Sequence, residues 1–262
     1  MKRYLILIAV ILLFVSCSNN KKEQKEEQIN VRSSVDESDS VTDSLLNSIK
    51  GNVSFSQLAS TPNSVILTGL KEHRLVTIYK SRKNVESFEE NIGYSSSYTV
   101  VDGQTIEIEK PFMPGIEVLY GYNLLNVAHY NMQTEKMNFM FQSPVLIKTL
   151  YYPSFIEDSL NKIPIRRNYY LVTVYDDDSN KDSLINKNDL RRMYYFNAEC
   201  DVKIRLIPAD YSVIRSQYDS RNDVMYVFAR KDENKNGISD KNEPIHIFWL
   251  NMKLPVTGKK LY

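Results

Sequence analysis

The sequence predicts an all-β fold for residues 51–262, and three observations support this prediction. Valine, isoleucine and tyrosine, which favour strands, recur in many short runs, and the chain holds 18 tyrosines. Glycine, asparagine, aspartate and proline separate these runs at intervals typical of hairpins. Apolar residues hardly ever recur at helical spacing in this part of the chain. We therefore expect antiparallel strands that follow one another as a meander.

The N-terminus has the features of a signal peptide. Lys2 and Arg3 precede an apolar run from Tyr4 to Val15, which is too short to remain as a membrane-spanning helix. The residues Phe14-Val15-Ser16-Cys17 resemble the lipobox of bacterial lipoproteins, although leucine is usual at the first of these positions. This resemblance implies that residues 1–17 end in a cysteine, Cys17, that receives lipid after cleavage. The alternative is an ordinary secretory signal in which Cys17 has no such role.

Residues 18–50 have the composition of a flexible tether. Charged residues, followed by a run rich in serine and aspartate, extend to Asp43, and such a segment buries too little apolar surface to offset the entropy lost on ordering. A short helix from Thr42 to Ile49, capped by Thr42 or Ser40, is predicted at the end of the tether. A tether of this kind would let the β-domain stand away from a membrane.

The strands of the β-domain are predicted at the apolar runs that turn residues separate. In chain order they are Ser64–Leu70, Arg74–Lys80, Ser97–Val101, Thr105–Glu109, Val118–Tyr130, Lys136–Phe141, Val145–Tyr152, Tyr169–Asp176, Arg192–Asn197, Val202–Ile207, Ser212–Tyr218, Asp223–Arg230 and Ile245–Met252. One helical insert, Ser154 to Lys162, is predicted between Pro153 and Pro164.

Several predicted strands are apolar on both faces. In Tyr169–Asp176 and in Ile245–Met252 both alternating sets of side chains are apolar, which a sheet buried on one side only does not require. Sheets stacked between other sheets, as in propeller blades, explain this pattern. The chain also repeats a strand–loop–strand segment after about 50 residues, a period typical of propeller repeats. We therefore predict propeller-like repeats, with a β-sandwich as the alternative.

The repeated segment contains an acidic loop of twelve residues. Loop 1 is Asp178–Asp189 and loop 2 is Asp232–Glu243. In both loops oxygen-bearing side chains occupy positions 1, 3, 5, 9 and 12, which is the spacing of a calcium loop, where position 7 adds its backbone carbonyl. The predicted Ca²⁺ ligands of loop 1 are Asp178, Asn180, Asp182, Leu184, Asn186 and Asp189. Those of loop 2 are Asp232, Asn234, Asn236, Ile238, Asp240 and Glu243.

Loop 2 is predicted to be the stronger calcium site. Gly237 occupies its position 6, where the turn requires a positive φ angle, whereas Ser183 at that position of loop 1 costs roughly 1 kcal/mol. The shorter Asp189 also replaces glutamate at position 12 of loop 1. Ile185 at position 8 favours calcium binding by loop 1, because a branched apolar residue can pack behind the site.

The loops are not predicted to lie between helices. Pro244 follows loop 2 directly, and a strand pattern follows Pro244. The segment 169–254 resembles the strand–calcium loop–strand hairpins of secreted bacterial β-propeller-like and β-sandwich lipoproteins. This resemblance implies calcium that stabilises the fold and does not act as a switch. The simpler alternative is that both loops are turns rich in Asn and Asp that bind no ion.

Composition and motifs narrow the range of functions that the sequence supports. The chain has 33 basic and 32 acidic residues, which gives no sign of a nucleic-acid surface. If Cys17 is lipidated, Cys200 has no cysteine partner within the chain, and we expect it to be buried. The three histidines, His73, His129 and His246, show no metal-ligand spacing along the chain. Serine-nucleophile elbows, phosphate-binding glycine loops and zinc-protease motifs are absent from the sequence.

We therefore predict a lipid-anchored, extracytoplasmic β-domain at the outer membrane or cell surface. Its calcium would be structural, and the domain would act as a binding or cell-envelope scaffold with a protein or glycan ligand. The alternative is a calcium-stabilised hydrolase or carbohydrate-active enzyme, whose sugar platform would consist of Tyr120, Tyr122, Tyr151 and Tyr152.

Overall fold

The structure, a computed structural model, describes residues 48–51, 54, 56–81, 98–101, 104–107 and 113–262. These residues contain no α-helix, and their regular structure consists of β-strands. The all-β prediction is therefore confirmed. The predicted signal peptide, Cys17 and most of the predicted tether lie outside the described residues.

Each predicted strand overlaps a strand of the structure. The strands are β1 (Ile49–Lys50), β2 (Ser60–Leu67), β3 (His73–Lys80), β4 (Tyr98–Val101), β5 (Gln104–Glu107), β6 (Ile116–Asn131), β7 (Lys136–Phe139), β8 (Leu146–Pro153), β9 (Asp158–Leu160), β10 (Ile163–Ile165), β11 (Tyr169–Tyr175), β12 (Leu184–Ile185), β13 (Arg192–Asn197), β14 (Lys203–Arg205), β15 (Tyr211–Asp219), β16 (Val224–Lys231), β17 (Ile245–Asn251) and β18 (Lys259–Lys260). The short strands β1, β9, β10, β12 and β18 have no counterpart in the prediction.

Two antiparallel sheets make up most of the described fold. The large sheet has eight strands in the order β14-β13-β11-β8-β6-β3-β2, with β7 also paired to β6, and the small sheet has the order β15-β16-β17-β18. In both sheets the strand order follows the chain, as in a meander. Three separate strand pairs, β1 with β12, β9 with β10 and β4 with β5, complete the described pairing.

Apolar side chains cover both faces of the large sheet. On strand β11, Tyr170 and Val172 belong to a first core on one face, whereas Tyr169 and Leu171 belong to a second core on the other face. The second core also contains side chains of the small sheet, from β16 and β17. The small sheet therefore packs onto the second face of the large sheet. This confirms the prediction that β11 is buried on both faces, since a central strand between two cores has no solvent side.

Strand β17 differs from this prediction. Phe248 and Leu250 are buried in the second core, but Ile245 is 43% exposed and Trp249 is only half-buried. The prediction of two buried faces is therefore wrong for this strand. The reason is that only one face of β17 packs against the large sheet, so its other apolar side chains lie toward the surface.

Both helix predictions are wrong for the residues that the structure describes. Ile49 lies in strand β1, while residues 42–47 of that prediction lie outside the described residues. Strands β9 and β10 form a hairpin in place of the helix predicted over Ser154–Lys162. Asn161 and Lys162 at its tip have φ angles of 53° and 67°, as a two-residue type I′ turn requires.

The two acidic loops belong to different sheets. Loop 1 joins β11 to β13 in the large sheet, and loop 2 joins β16 to β17 in the small sheet. Propeller-like repeats and the alternative sandwich both stay predictions, because the strand order fits a meander in either architecture.

Candidate metal centres

Each acidic loop forms the connection of an antiparallel hairpin. Loop 1 lies between Tyr175 and Arg192, at the ends of paired strands β11 and β13. Loop 2 lies between Lys231 and Ile245, at the ends of paired strands β16 and β17. The hairpin strands hold the two ends of each loop at a fixed separation.

The first carboxylate of each loop is wrapped by the loop's own backbone. In both loops this carboxylate accepts hydrogen bonds from the backbone N–H groups of positions 5 and 6. The acceptor–donor pairs are Asp178 with Asp182 (3.0 Å) and Ser183 (2.9 Å), and Asp232 with Asn236 (3.1 Å) and Gly237 (3.0 Å). The two loops therefore share the same local fold around position 1.

The other predicted ligands follow the same pattern in both loops. The position 3 amide oxygen accepts from the N–H of position 5, at 3.1 Å in loop 1 and 2.9 Å in loop 2. The position 5 side chain accepts from the N–H of position 7, at 2.8 Å in each loop. The position 12 carboxylate accepts from the N–H groups of positions 2 and 9. Oxygens at positions 1, 3, 5 and 12 thus all accept backbone hydrogen bonds within their own loop.

The backbone angles of the two loops also match. Positions 4 and 6 have positive φ angles in both: 61° at Lys181 and 70° at Ser183, and 58° at Lys235 and 75° at Gly237. Loop 1 therefore adopts the glycine-type turn without a glycine. The residue at position 6 differs, but the chain path does not.

Side-chain amides contact the remaining carboxylate oxygens. Asn180 donates to Asp182 at 3.1 Å, and Asn234 and Asn236 donate to Asp240 at 3.1 Å and 2.8 Å. An amide presents its oxygen to a cation, so calcium binding would require these amide groups to rotate. Apart from this rotation, the donor set of carboxylates, amides and a backbone carbonyl has the chemistry of a calcium site.

Two of the predicted ligands are buried carboxylates. Asp189 is 1% exposed and Asp232 is 7% exposed, and no lysine or arginine within residues 113–262 forms a salt bridge with either. Burial raises the pKa of Asp189, and backbone hydrogen bonds from Asn186, Asn180 and Ser179 oppose that rise. A buried carboxylate without a cationic side chain favours binding of a cation from solution.

The two loops contact each other directly. The Ser179 hydroxyl, at position 2 of loop 1, donates to the Gly237 carbonyl of loop 2 at 2.6 Å. A Cβ atom at Gly237 would lie 1.9 Å from the Ser179 carbonyl oxygen. Gly237 is therefore needed for two reasons, its positive φ angle and this close approach of backbones.

An apolar cluster lies beside loop 1, as the sequence predicts for Ile185. Strand β12 is part of the loop and pairs with β1, with Ile49 opposite Ile185. Both isoleucines are buried with Leu125 and Leu146 in a third core. Positions 7 and 8 of the loop are thus tied to the start of the described chain.

A second kind of candidate metal centre lies elsewhere in the large sheet. Of the described histidine, cysteine and acidic residues, only His73, His129 and Glu199 form a group of three whose ligand atoms all lie within 4.8 Å of one another. Neither loop brings three of its carboxylates that close together in the described chain. This group is not evident from the sequence, because its members are distant along the chain and meet only through strand pairing. The third histidine, His246, contacts the Tyr211 hydroxyl at 2.7 Å.

A cavity of about 430 Å³ lies beside the β9–β10 hairpin. Arg166, Arg167, Arg221 and Lys253 line it together with one acidic residue, Asp223. Arg167 and Asp223 form a buried ion pair of 2.7 Å. Among the described residues that line the cavity, the one carboxylate is therefore already paired with a guanidinium group.

The tyrosines predicted as a sugar platform do not share a surface. Tyr151 is buried in the second core and Tyr152 in the first, on opposite faces of the large sheet. Tyr120 is 51% exposed, and the side chain of Tyr122 lies outside the description. Cys200 is buried, as predicted, and burial raises the pKa of its thiol.

Comparison with known proteins adds no family assignment. No protein-family model matches the chain, and no curated protein matches it significantly. Within the described part of the chain, no helix has the length and apolar character needed to cross a membrane.

Proposed function

We propose that this chain is a calcium-stabilised, lipid-anchored β-domain that acts outside the cytoplasm as a binding or cell-envelope scaffold. The observation that supports it most strongly is the match between the two loops. They lie in different sheets, yet the same positions accept the same backbone hydrogen bonds and have the same positive φ angles. Two unrelated polar turns have no physical reason to agree in this detail, whereas two loops that enclose the same ion do.

The donor set favours Ca²⁺ over Mg²⁺ in both loops. Each loop offers six ligand residues, and the carboxylate at position 12 can bind with both of its oxygens. Mg²⁺ prefers to keep several waters and a rigid octahedron, which a flexible twelve-residue loop does not provide. Dissociation constants of about 10⁻⁴–10⁻³ M would suffice, because such values are typical of extracellular modules.

The membrane anchor and the location at the outer membrane or cell surface are supported by the sequence of residues 1–17. Lys2, Arg3, the apolar run and Cys17 follow the order of a lipoprotein signal. The polar stretch after Cys17 would then separate the β-domain from the lipid surface. The partner of such a scaffold would be a protein or a glycan on that surface.

Calcium stoichiometry tests the central part of the proposal. Equilibrium dialysis should find two Ca²⁺ ions per chain, and one in each of Asp178→Ala and Asp232→Ala. Lys181→Ala and Lys235→Ala are matched controls, because these exposed residues at position 4 of each loop offer no ligand oxygen. A chain that binds no calcium at millimolar concentration would contradict the proposal.

Lipidation tests the anchor separately. We expect the chain to incorporate labelled palmitate in a bacterial host and to partition into detergent, and Cys17→Ala to lose both properties. Cys200→Ala is the control, since this buried thiol is not accessible for lipidation. Unchanged labelling in Cys17→Ala would remove the anchor from the proposal and leave the calcium part standing.

A further inference from the structure

The group of His73, His129 and Glu199 lies away from the acidic loops. Loop 1 precedes strand β13, whereas Glu199 lies in the turn that follows it. His73 begins strand β3, and His129 lies near the end of strand β6. The group therefore belongs to the opposite end of β13 from loop 1.

Strand pairing brings the two histidines together. In the antiparallel ladder of β3 and β6, His73 is opposite Asn131 and Leu75 is opposite His129. His73 and His129 are thus diagonal neighbours on the same face of the sheet. Leu75 on this face belongs to the first core, so the histidines extend the core face toward its end.

The carboxylate is held in place over this pair. Asn131 on β6 donates to Glu199 Oε2 at 3.2 Å, and Asn138 on β7 donates to the Glu199 carbonyl at 3.0 Å. Glu199 Oε1 lies 3.5 Å from His73 Nε2. Outer-shell hydrogen bonds of this kind orient metal-binding carboxylates.

The two histidines contact each other directly through their ring nitrogens. His73 Nδ1 and His129 Nε2 are 2.6 Å apart, so at most one of these two nitrogens carries a proton. Burial and the neighbouring His73 lower the pKa of His129, although Glu199 and Asp201 oppose this. Because this short contact leaves one of the two nitrogens without a proton, a lone pair is available in the group, and neutral imidazole is the form that binds metals.

The three side chains of the group differ in their exposure to solvent. The side chain of His129 is buried, that of His73 is 12% exposed and that of Glu199 is 49% exposed. Within the part of the chain that the structure describes, His129 Nδ1 is buried without a hydrogen-bond partner, so these residues do not fully satisfy the ring. An ion could enter from the Glu199 side, and a water could complete its shell there.

We propose that His73, His129 and Glu199 form a binding site for a divalent transition-metal ion of the Zn²⁺ class. Two imidazoles and one carboxylate are a common ligand set for such ions, whereas Ca²⁺ and Mg²⁺ prefer oxygen ligands alone. Zinc holds these atoms at about 2.0–2.2 Å, which places tetrahedral ligands about 3.3–3.6 Å apart. The 2.6 Å contact between His73 Nδ1 and His129 Nε2 is shorter than this separation, so binding requires the two rings to move apart or to present another nitrogen to the ion.

Zinc binding to the full chain, kept in detergent and stripped of metal, tests this site. Calcium at about 10 mM, roughly tenfold above the weakest dissociation constant expected for such loops, is present throughout to occupy them. Titration calorimetry with ZnCl₂ should show one Zn²⁺ per chain. Glu199→Gln should weaken the binding by about tenfold or more, and His73→Ala should abolish it.

The controls separate this site from other possible zinc ligands. His246→Ala should bind Zn²⁺ like the unaltered chain, because His246 lies outside the group. Co²⁺ should give the visible absorption of a tetrahedral site in the unaltered chain and lose it in Glu199→Gln. Glu199 is half-exposed, so this variant decides the question even where His73→Ala fails to fold.

Two results would overturn the proposal. One is the absence of zinc binding, which would leave a histidine pair and a glutamate that contact one another without an ion. The other is zinc binding that Glu199→Gln leaves unchanged, or that Asp178→Ala or Asp232→Ala removes instead. The outcome does not depend on the proposed calcium sites, because calcium is present in every titration.

Discussion

Position 6 of the two acidic loops has the same backbone conformation but different residues. Gly237 adopts a φ angle of 75° at no steric cost, whereas Ser183 adopts 70° with a Cβ atom present. A non-glycine residue in this region loses roughly 1–2 kcal/mol. At Gly237 a Cβ would in addition overlap the Ser179 carbonyl oxygen, which lies 1.9 Å away.

Exchanging these residues should change stability in opposite directions. We expect Ser183→Gly to raise the free energy of unfolding by about 1 kcal/mol. Gly237→Ala should lower it by more than that, because strain and steric overlap add. Urea denaturation in EDTA measures both effects without bound calcium. Changes of the same sign in the two variants would show that the loops do not share one conformation.

The ion pair of Arg167 and Asp223 gives the fold a defined response to acid. The two side chains are 2% and 5% exposed, and Tyr218 also donates to the carboxylate. Burial alone would raise the pKa of Asp223, but the hydrogen bonds from Arg167 and Tyr218 and the charge of Arg167 outweigh burial and lower it. Because the pKa is lower in the folded state, the stabilisation is complete above the unfolded pKa of about 3.9 and is lost as pH falls through the folded pKa.

Asp223→Asn should therefore destabilise the protein most at neutral pH. We expect a loss of roughly 3–5 kcal/mol there, because Arg167 stays buried without its partner. The difference from the unaltered chain should shrink as the pH is lowered below about 3.9. Denaturation at a series of pH values measures it. Asp210→Asn, which alters an exposed carboxylate, is the control and should keep the acid response of the unaltered chain. If the stability difference between Asp223→Asn and the unaltered chain does not change with pH, the ion pair is not the source of the acid response.

For single residues, the sequence predicts the features that depend only on neighbours along the chain. The spacing of the loop residues and the glycine at position 6 are local, and the structure shows matching turns there. The contact between His73 and His129 is different, because it depends on how β3 is aligned with β6. Sequence periodicity identifies both strands but not their partners or register, so this group could not be predicted.

Among the elements, strand β1 connects the start of the described chain to loop 1. Ile49 is 3% exposed and packs with Ile185, and the Gly51 N–H donates to the Ser183 carbonyl at 2.9 Å. Positions 6 to 8 of loop 1 are therefore fixed by a strand that precedes them by more than a hundred residues in sequence. Loop 1 lacks glycine, and this pairing offsets part of its strain.

Shortening the side chain of Ile49 should show that loop 1 depends on strand β1. We expect Ile49→Ala to cost about 2–5 kcal/mol of stability, as large-to-small changes in a core do. It should also speed hydrogen exchange at the Gly51 amide, which pairs with loop 1. The adjacent Lys50→Ala removes an exposed side chain and should change stability by no more than about 0.5 kcal/mol. Equal effects of the two variants would show that β1 is not anchored through the third core.

The elements also show where strand prediction succeeds and where it fails. Long runs such as Tyr169–Tyr175 are recognised because both faces are apolar and β-branched or aromatic residues dominate. The β9–β10 hairpin is missed because its strands have three residues each and its turn uses Asn161 and Lys162. Lysine is not a usual signal for a positive φ angle, so the segment reads as a helix between two prolines.

In the whole molecule, the two loops contact each other where the two sheets meet. Loop 1 closes a hairpin of the large sheet and loop 2 closes one of the small sheet, and Ser179 joins them through the Gly237 carbonyl. The sheets also share the second core. A cation in either loop would therefore stabilise the junction of the sheets as well as its own hairpin, and the unfolding of the entire domain should respond to calcium.

The most direct test is a thermal melt of the chain lacking residues 1–40 in EDTA, in excess Mg²⁺ and across a Ca²⁺ titration. Calcium at a hundredfold excess over the dissociation constant should add about 2.7 kcal/mol of stability per site. We predict a calcium-specific rise in Tm that Asp178→Ala and Asp232→Ala each reduce and that Lys181→Ala and Lys235→Ala preserve. A Tm that calcium does not change would contradict the account and leave both loops as hydrogen-bonded turns.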